Sequence, residues 1–181
     1  MKLDSKFERI IVSGPSASGK TILAMKLSKL LDLPIYHQDD FWVESIKNGE
    51  RGPHIAKRVD QVTDSDRWVI DGGPPVLQKN IVSKSDLLIV IDVSFYRGYF
   101  NHFYRRFEDW IGKRDLGEWK THEPKGWKWV RCYSERHNRF YKKAPKLICA
   151  ARQTTRVVRL ENHKAVNAFV AQLVKQLRDE I

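Results

Sequence analysis

Cysteine is scarce in this 181-residue chain, with Cys132 and Cys149 the only two. Two thiols make no disulfide framework, so both are expected as reduced core thiols of a cytoplasmic protein. Long apolar runs are missing as well. Leu87 to Ile91, among the longest, falls far short of the ~20 residues that a membrane helix requires, and it suits a buried strand. Met1 to Phe7 is charged and lacks an apolar stretch, which gives no reason to expect a signal peptide or a membrane partner. Acidic residues are the third shortage: 22 stand against 33 Lys and Arg, for a formal net charge of +11. An apolar share of 41% with 20 aromatics excludes a disordered chain. The length fits one globular domain over residues 1–181, with enough chain to bury a full core.

The location of the charge says more than its size. Residues 97–159 hold 17 Lys and Arg against 6 Asp and Glu, while the remainder carries 16 of each and is neutral. The same window holds 12 of the 20 aromatics. The whole positive excess therefore belongs to one segment, which should face phosphate groups, a nucleic-acid backbone or a membrane surface.

Strand and helix signals alternate along the chain. Glu8 to Ser13 is a short β-branched run ending at a Gly/Ser/Pro cluster, and Leu23, Leu27, Leu30 and Leu31 then recur at helical spacing until Pro34. Pro34 to Tyr36 suits a very short second strand. Gln38 to Pro53 is polar, with Asn48-Gly49 and Gly52-Pro53 as loop signals. Ile55, Val59 and Val62 suggest a helix, Arg67 to Asp71 a third strand, Val76 to Lys84 a short helix, and Asp86 to Val93 the most apolar strand. An aromatic helix is expected over Tyr96 to Ile111, a charged lid or loop over 112–126, and a further helix from Trp127 until Pro145. Arg156 to Leu160 reads as a fifth strand, and Ala165, Phe169, Leu173 and Leu177 mark a terminal amphipathic helix. This alternation implies a three-layer α/β domain with a mainly parallel sheet and an inserted basic lid at about 97–150.

Between the first strand and first helix lie Gly14, Pro15, Ser16, Ala17, Ser18, Gly19, Lys20 and Thr21, which fit G-x-x-x-x-G-K-[ST] at every fixed position. The two glycines let the backbone turn its N–H groups inward, and the helix that follows presents its positive end to an anion. Lys20 can reach the β- and γ-phosphates, and the Thr21 hydroxyl can ligate Mg²⁺. These residues point to bound ATP with Mg²⁺.

The fate of the γ-phosphate depends on acids at strand ends. Asp71 closes an apolar strand and can hold Mg²⁺ or its waters; Asp92 does the same and competes for that role on spacing alone. Asp39 and Asp40 follow the second strand, where an acid can take the proton of an acceptor hydroxyl. His37 is expected as a hydrogen-bonded loop histidine near the acceptor, and the six histidines show no zinc-ligand spacing. Positive groups for the transferring phosphate are sought in Arg105 and Arg106, then Arg114. Trp42, Trp110 and Trp119 could stack on a base, whereas Trp127 and Trp129 are expected to pack within the lid helices.

Gly14 to Thr21, Leu33-Pro-Ile-Tyr-His-Gln-Asp39 and Trp68-Val-Ile-Asp-Gly72 together resemble the adenylate-kinase-related P-loop proteins often labelled DNA topology modulation proteins. The resemblance extends through Ser85 to Asp92, the Arg- and Trp-rich helices and Val157 to Leu160, and so covers most of the chain. It implies a P-loop NTPase fold whose five-stranded parallel sheet has the order 2-3-1-4-5, which favours Asp71 over Asp92 beside Mg²⁺. Gln38 to Phe41 also looks like nucleoside and nicotinamide riboside kinases and polynucleotide 5′-kinases, and across them Asp39 is the position that carries over. This chain departs from the family pattern in having Ser94-Phe95 where Pro-Arg is frequent, and Asn101 where an Arg is frequent.

The expected activity is therefore transfer of the ATP γ-phosphate to a small acceptor, a nucleoside or nucleotide-like molecule. The catalytic set is Lys20, Asp39, Arg105 and Arg106, and the metal set is Thr21 and Asp71. The competing expectation is a nucleic-acid-associated ATPase of the topology-modulation type, or a polynucleotide 5′-hydroxyl kinase, using the basic 97–159 region. Oligomeric state leaves no signature in the sequence.

Overall fold

The computed structural model describes residues 7–47, 49, 53–73, 79–110, 127–151 and 155–179. Among these residues five strands, β1 (Arg9–Ser13), β2 (Ile35–His37), β3 (Trp68–Gly72), β4 (Leu87–Ile91) and β5 (Arg156–Leu160), form one sheet in the order β2-β3-β1-β4-β5. Every pairing is parallel, which is the expected three-layer P-loop NTPase architecture. Parallel strands at the centre of such a sheet are covered on both faces and must be apolar throughout. β3 and β4 are buried along their whole length, and β1 at every position after Arg9, whereas the edge strands β2 and β5 are partly open.

Among the described residues seven helices cover the sheet: α1 (Lys20–Leu31), α2 (Gln38–Lys47), α3 (Pro53–Thr63), α4 (Lys79–Lys84), α5 (Phe95–Trp110), α6 (Trp127–Ala151) and α7 (His163–Asp179). The period-two alternation of side chains along a strand sorts the core into two layers. Ile10, Val12, Val69, Leu87 and Ile89 point to one side and pack with Leu23 and Leu27 of α1 and Phe169 and Leu173 of α7. Ile11, Trp68, Ile70, Leu88 and Val90 point to the other and meet Phe41 of α2, Val59 of α3, Ile81 of α4 and Phe140 of α6.

Three expectations need correction. The polar segment after β2 is helical over Gln38–Lys47, because Asp39 and Asp40 complement the positive end of the helix and Phe41 supplies a core anchor. α6 continues through Pro145 to Ala151. The proline is exposed, while Phe140, Ala144 and Ala151 keep one apolar stripe against the sheet on both sides of it, and that packing outweighs the lost backbone bond. Cys149 is exposed and Cys132 only half-buried, so neither is a core thiol; both are free. The 112–126 lid and the side chains of Trp110, Trp119, Trp127 and Trp129 lie outside the described residues.

α5 divides its surface three ways. Phe95, Tyr99 and His102 meet Tyr133 of α6 with ring centroids 5.4, 5.9 and 5.4 Å away. Gly98 and Asn101 face the loop after β1, and the outer side exposes Tyr96, Phe100, Phe103, Tyr104 and Phe107. Burial pushes the Tyr133 hydroxyl up to about 12, so it stays protonated and donates to the Phe95 carbonyl at 3.2 Å. Gly98 is a contact glycine: a Cβ there would lie 2.2 Å from Tyr133 Oη. Gly98→Ala is expected to cost about 1–3 kcal/mol in urea unfolding, as overpacking does. The same change in a Tyr133→Phe background should cost much less, since the colliding atom is gone; an equal cost in both would overturn this explanation.

Candidate functional site

The carboxyl ends of β1, β2 and β3 converge, and one hydrogen bond holds two of them together. Ser13 Oγ at the end of β1 donates to the Gly72 carbonyl at the end of β3, 2.8 Å away. The chain then turns tightly. A Cβ on Gly14 would stand 2.6 Å from Ser18 Oγ and 2.8 Å from the Ile91 carbonyl, so only glycine fits. Ala17 and Gly19 both adopt left-handed backbone, at φ 59° and 89°. That conformation is ordinary for glycine but strained for alanine, and it is what turns successive N–H groups toward one side. The strained residue is tethered: Asn101 Nδ2 on α5 donates to the Ala17 carbonyl at 3.1 Å. Sequence reasoning saw Asn101 only as a missing arginine, since nothing local links it to a residue 84 positions away.

Ser18 Oγ is buried and has no hydrogen-bond partner in the structure. An orphaned donor inside a tight cradle at the positive end of a twelve-residue helix fits a phosphate group. Lys20 opens α1, and Thr21 follows with its Oγ1 donating to Asp71 Oδ2 at 2.5 Å. A hydroxyl beside a carboxylate is the hard oxygen pair that Mg²⁺ takes. The residues present therefore fit both ATP and its metal.

The other oxygen of Asp71 is also engaged, by His37 Nδ1 at 2.5 Å. β2 pairs with β3 so that His37 lies directly opposite Asp71, and this register makes the contact. The hydrogen bond to Asp71 raises the His37 pKa, with the Asp71, Asp40 and Asp39 charges adding to it and desolvation opposing. Gln38 Oε1 accepts from the Gly73 amide at 2.6 Å and so pins the start of α2 to the end of β3. Asp39, the next residue, is exposed at the mouth of the sheet. Asp40 is held above the usual carboxylate range, first by lost hydration and then by the charges of Asp39, Asp71 and Glu44, with His37 opposing.

Asp92, the rival of Asp71 on spacing, is engaged elsewhere. It accepts hydrogen bonds from the Tyr141 hydroxyl and from the Arg159 guanidinium, whose Nε is 2.9 Å away. Burial alone would raise its pKa, but these two partners more than offset that and lower it. The structure thus brings Asp71, not Asp92, to Thr21. Arg105 and Arg106 lie on α5, but their side chains, like the whole of Arg114, fall outside the described residues. Among the described residues no helix is long and apolar enough to cross a membrane.

No family model matches the chain, and no curated protein matches it. Solved structures do. Shikimate kinase from Acinetobacter baumannii in complex with shikimate matches with a TM-score of 0.57 at 14% identity, over 97% of this chain and 96% of that one. Shikimate kinase from Bacteroides thetaiotaomicron matches with a TM-score of 0.57 at 15% identity, over 95% and 99%. A gluconokinase from Sinorhizobium meliloti 1021 matches with a TM-score of 0.52 at 14% identity, over 96% and 97%. At such identities the likeness is one of fold.

Proposed function

We propose that this chain is an ATP·Mg²⁺-dependent phosphotransferase acting on a hydroxyl of a small acceptor, a nucleoside or nucleotide-like molecule. The observation that carries this reading is the Thr21–Asp71–His37 chain of hydrogen bonds beside the orphaned Ser18 hydroxyl. A phosphate cradle, a metal-ligand pair and an acidic mouth are thereby gathered at the carboxyl ends of β1, β2 and β3. The fold is shared with chains named as kinases of small molecules, which agrees with this reading.

In this proposal the backbone of Gly14 to Thr21 holds the β- and γ-phosphates, and Lys20 places its charge on them. Thr21 and Asp71 hold Mg²⁺, which supplies charge neutralisation across the phosphate oxygens when bound. His37 orients Asp71, and Asn101 keeps the Ala17 turn in shape. Asp39 takes the proton of the acceptor hydroxyl as its oxygen bonds to the γ-phosphorus and the bond to the leaving ADP oxygen breaks. Arg105 and Arg106 of α5 supply positive charge to the transferring phosphate; in the sequence Arg105 stands at i+4 from Asn101 and i+7 from Gly98.

The test is transfer of labelled γ-phosphate across nucleosides, nicotinamide riboside, nucleoside monophosphates, 5′-hydroxyl oligonucleotides, shikimate and gluconate. Label on a nucleoside-like acceptor is expected. Label on a hydroxy acid alone would keep the kinase but overturn the acceptor class. Label released only as free phosphate, and stimulated by nucleic acid, would overturn the transferase in favour of an ATPase.

A further inference from the structure

α6 wears its charge on one side only. Lys128, Arg131, Arg139, Lys142 and Lys146 recur at i, i+3, i+11, i+14 and i+18, with Arg136 and Lys143 beside them. At 100° per residue all seven fall within an arc of about 140°. All seven are exposed. The opposite half of the helix is spent on the interior, where Tyr133, Phe140, Ala144 and Ala151 are buried. The row from Lys128 to Lys146 runs about 27 Å at the rise of an α-helix.

Within this arc the only acid is Glu135, which pairs with Arg131 at 2.9 Å. Cations spaced three and four apart on a helix repel one another. A face shaped for solubility would intersperse the two signs. The helices on the other side of the sheet carry no such row, and the chain outside 97–159 is neutral. A row of cations along one helix face, held at a local electrostatic cost, calls for a regular polyanion.

We infer that this face of α6 binds the phosphate backbone of a nucleic acid. A bilayer is disfavoured, because an interfacial helix needs an exposed apolar face and none of the exposed large apolar side chains of the described residues lies on α6. The row presents Lys and Arg with Asn138 as its one neighbouring amide, so it grips phosphate and does not read bases. Binding is sequence-independent and steeply salt-sensitive. The surface is separate from the nucleotide cradle and does not depend on the phosphotransfer reading.

The experiment measures fluorescence anisotropy of labelled 20-nucleotide single strands and duplexes between 50 and 300 mM salt. Six cations with no ion pair among the described residues give a log–log slope of about −5 on a duplex. Arg139→Glu/Lys142→Glu/Lys146→Glu should lower affinity more than about a hundredfold at 50 mM salt and flatten the slope by about 3. The corresponding triple Gln variant, which keeps the helix without reversing charge, should show a smaller loss in the same direction. Lys29→Glu/Lys175→Glu/Arg178→Glu, on the helices across the sheet, changes net charge equally and should leave affinity within about threefold. ATP binding by the α6 variants should stay at the wild-type level, which separates this surface from the cradle. An equal loss in the α1/α7 control, or a shallow wild-type slope, overturns the proposal. Tighter binding to phosphatidylserine vesicles, or equal competition by polyglutamate of matched length, overturns it in favour of a membrane or an acidic protein.

Discussion

Lys20→Ala should abolish phosphate transfer, with turnover falling by at least about a thousandfold, because it removes the one full positive charge built into the cradle. The rest of the cradle consists of backbone dipoles, the Ser18 hydroxyl and the helix end, which bind an anion but cannot follow charge as it migrates from the γ-phosphate to the leaving group. ATP affinity should fall too, by about tenfold or more, since the side chain meets the same phosphates in the ground state. Folding should be indifferent. Lys20 opens α1 at a partly exposed position, makes no ion pair among the described residues, and places a positive charge where the helix dipole disfavours it. The thermal midpoint of the variant should therefore match or slightly exceed that of the parent. Unchanged turnover in a label-transfer assay would sink the assignment of Gly14 to Thr21. Lost turnover with a collapsed melting transition would show only that the variant does not fold, and Lys20→Met, which keeps the length of the stem, then replaces it.

Much of this arrangement could be read from residue order because the physics behind it is local. The Gly14 to Thr21 spacing encodes its own turn, and the positive-φ residues Ala17 and Gly19 lie inside it. The apolar runs Ile10 to Val12 and Leu87 to Ile91 announce strands covered on both faces, and the structure buries them so. Strand order is not a local property. It came with the resemblance in the P-loop and Trp68 to Gly72, and the order observed agrees. What periodicity missed depends on long-range contact. The α2 helix places Phe41, Trp42 and Val43 in succession and not at helical spacing, and its start is fixed by Gln38 reaching Gly73. The Pro145 break is overruled by packing against the sheet, and the roles of Gly98 and Asn101 exist only once α5 is laid against the cradle. His37 was expected as a hydrogen-bonded residue, but its partner Asp71 follows from strand register, which no single segment encodes.

Two acids at the carboxyl ends of neighbouring strands should fail in different ways, and this is the sharpest test of the proposed chemistry. Asp39→Asn should cut transfer by about a hundred- to ten-thousandfold, the range for a positioned general base, while ATP·Mg²⁺ binding and melting temperature stay near the wild-type values. The residue is exposed, so losing its charge disturbs no packed neighbour. Asp71→Asn should behave otherwise. Its carboxylate is 4% exposed and accepts from Thr21 and His37 with separate oxygens, so an amide must present an N–H to one of two donors. That mismatch should cost about 1–3 kcal/mol of stability and weaken Mg²⁺-dependent ATP binding together with turnover. Raising Mg²⁺ should recover part of the Asp71→Asn activity and none of the Asp39→Asn activity. Asp40→Asn is the necessary third variant, because that carboxyl sits beside both and is held above its ordinary range. A raised pKa makes the ionised carboxylate the stronger base, so Asp40 is the rival proton acceptor. Less than about a tenfold loss in Asp40→Asn, against the larger loss in Asp39→Asn, would keep the base at Asp39. The reverse ranking would move it one residue along α2, and equal loss of ATP binding in Asp39→Asn would make Asp39 a metal residue instead.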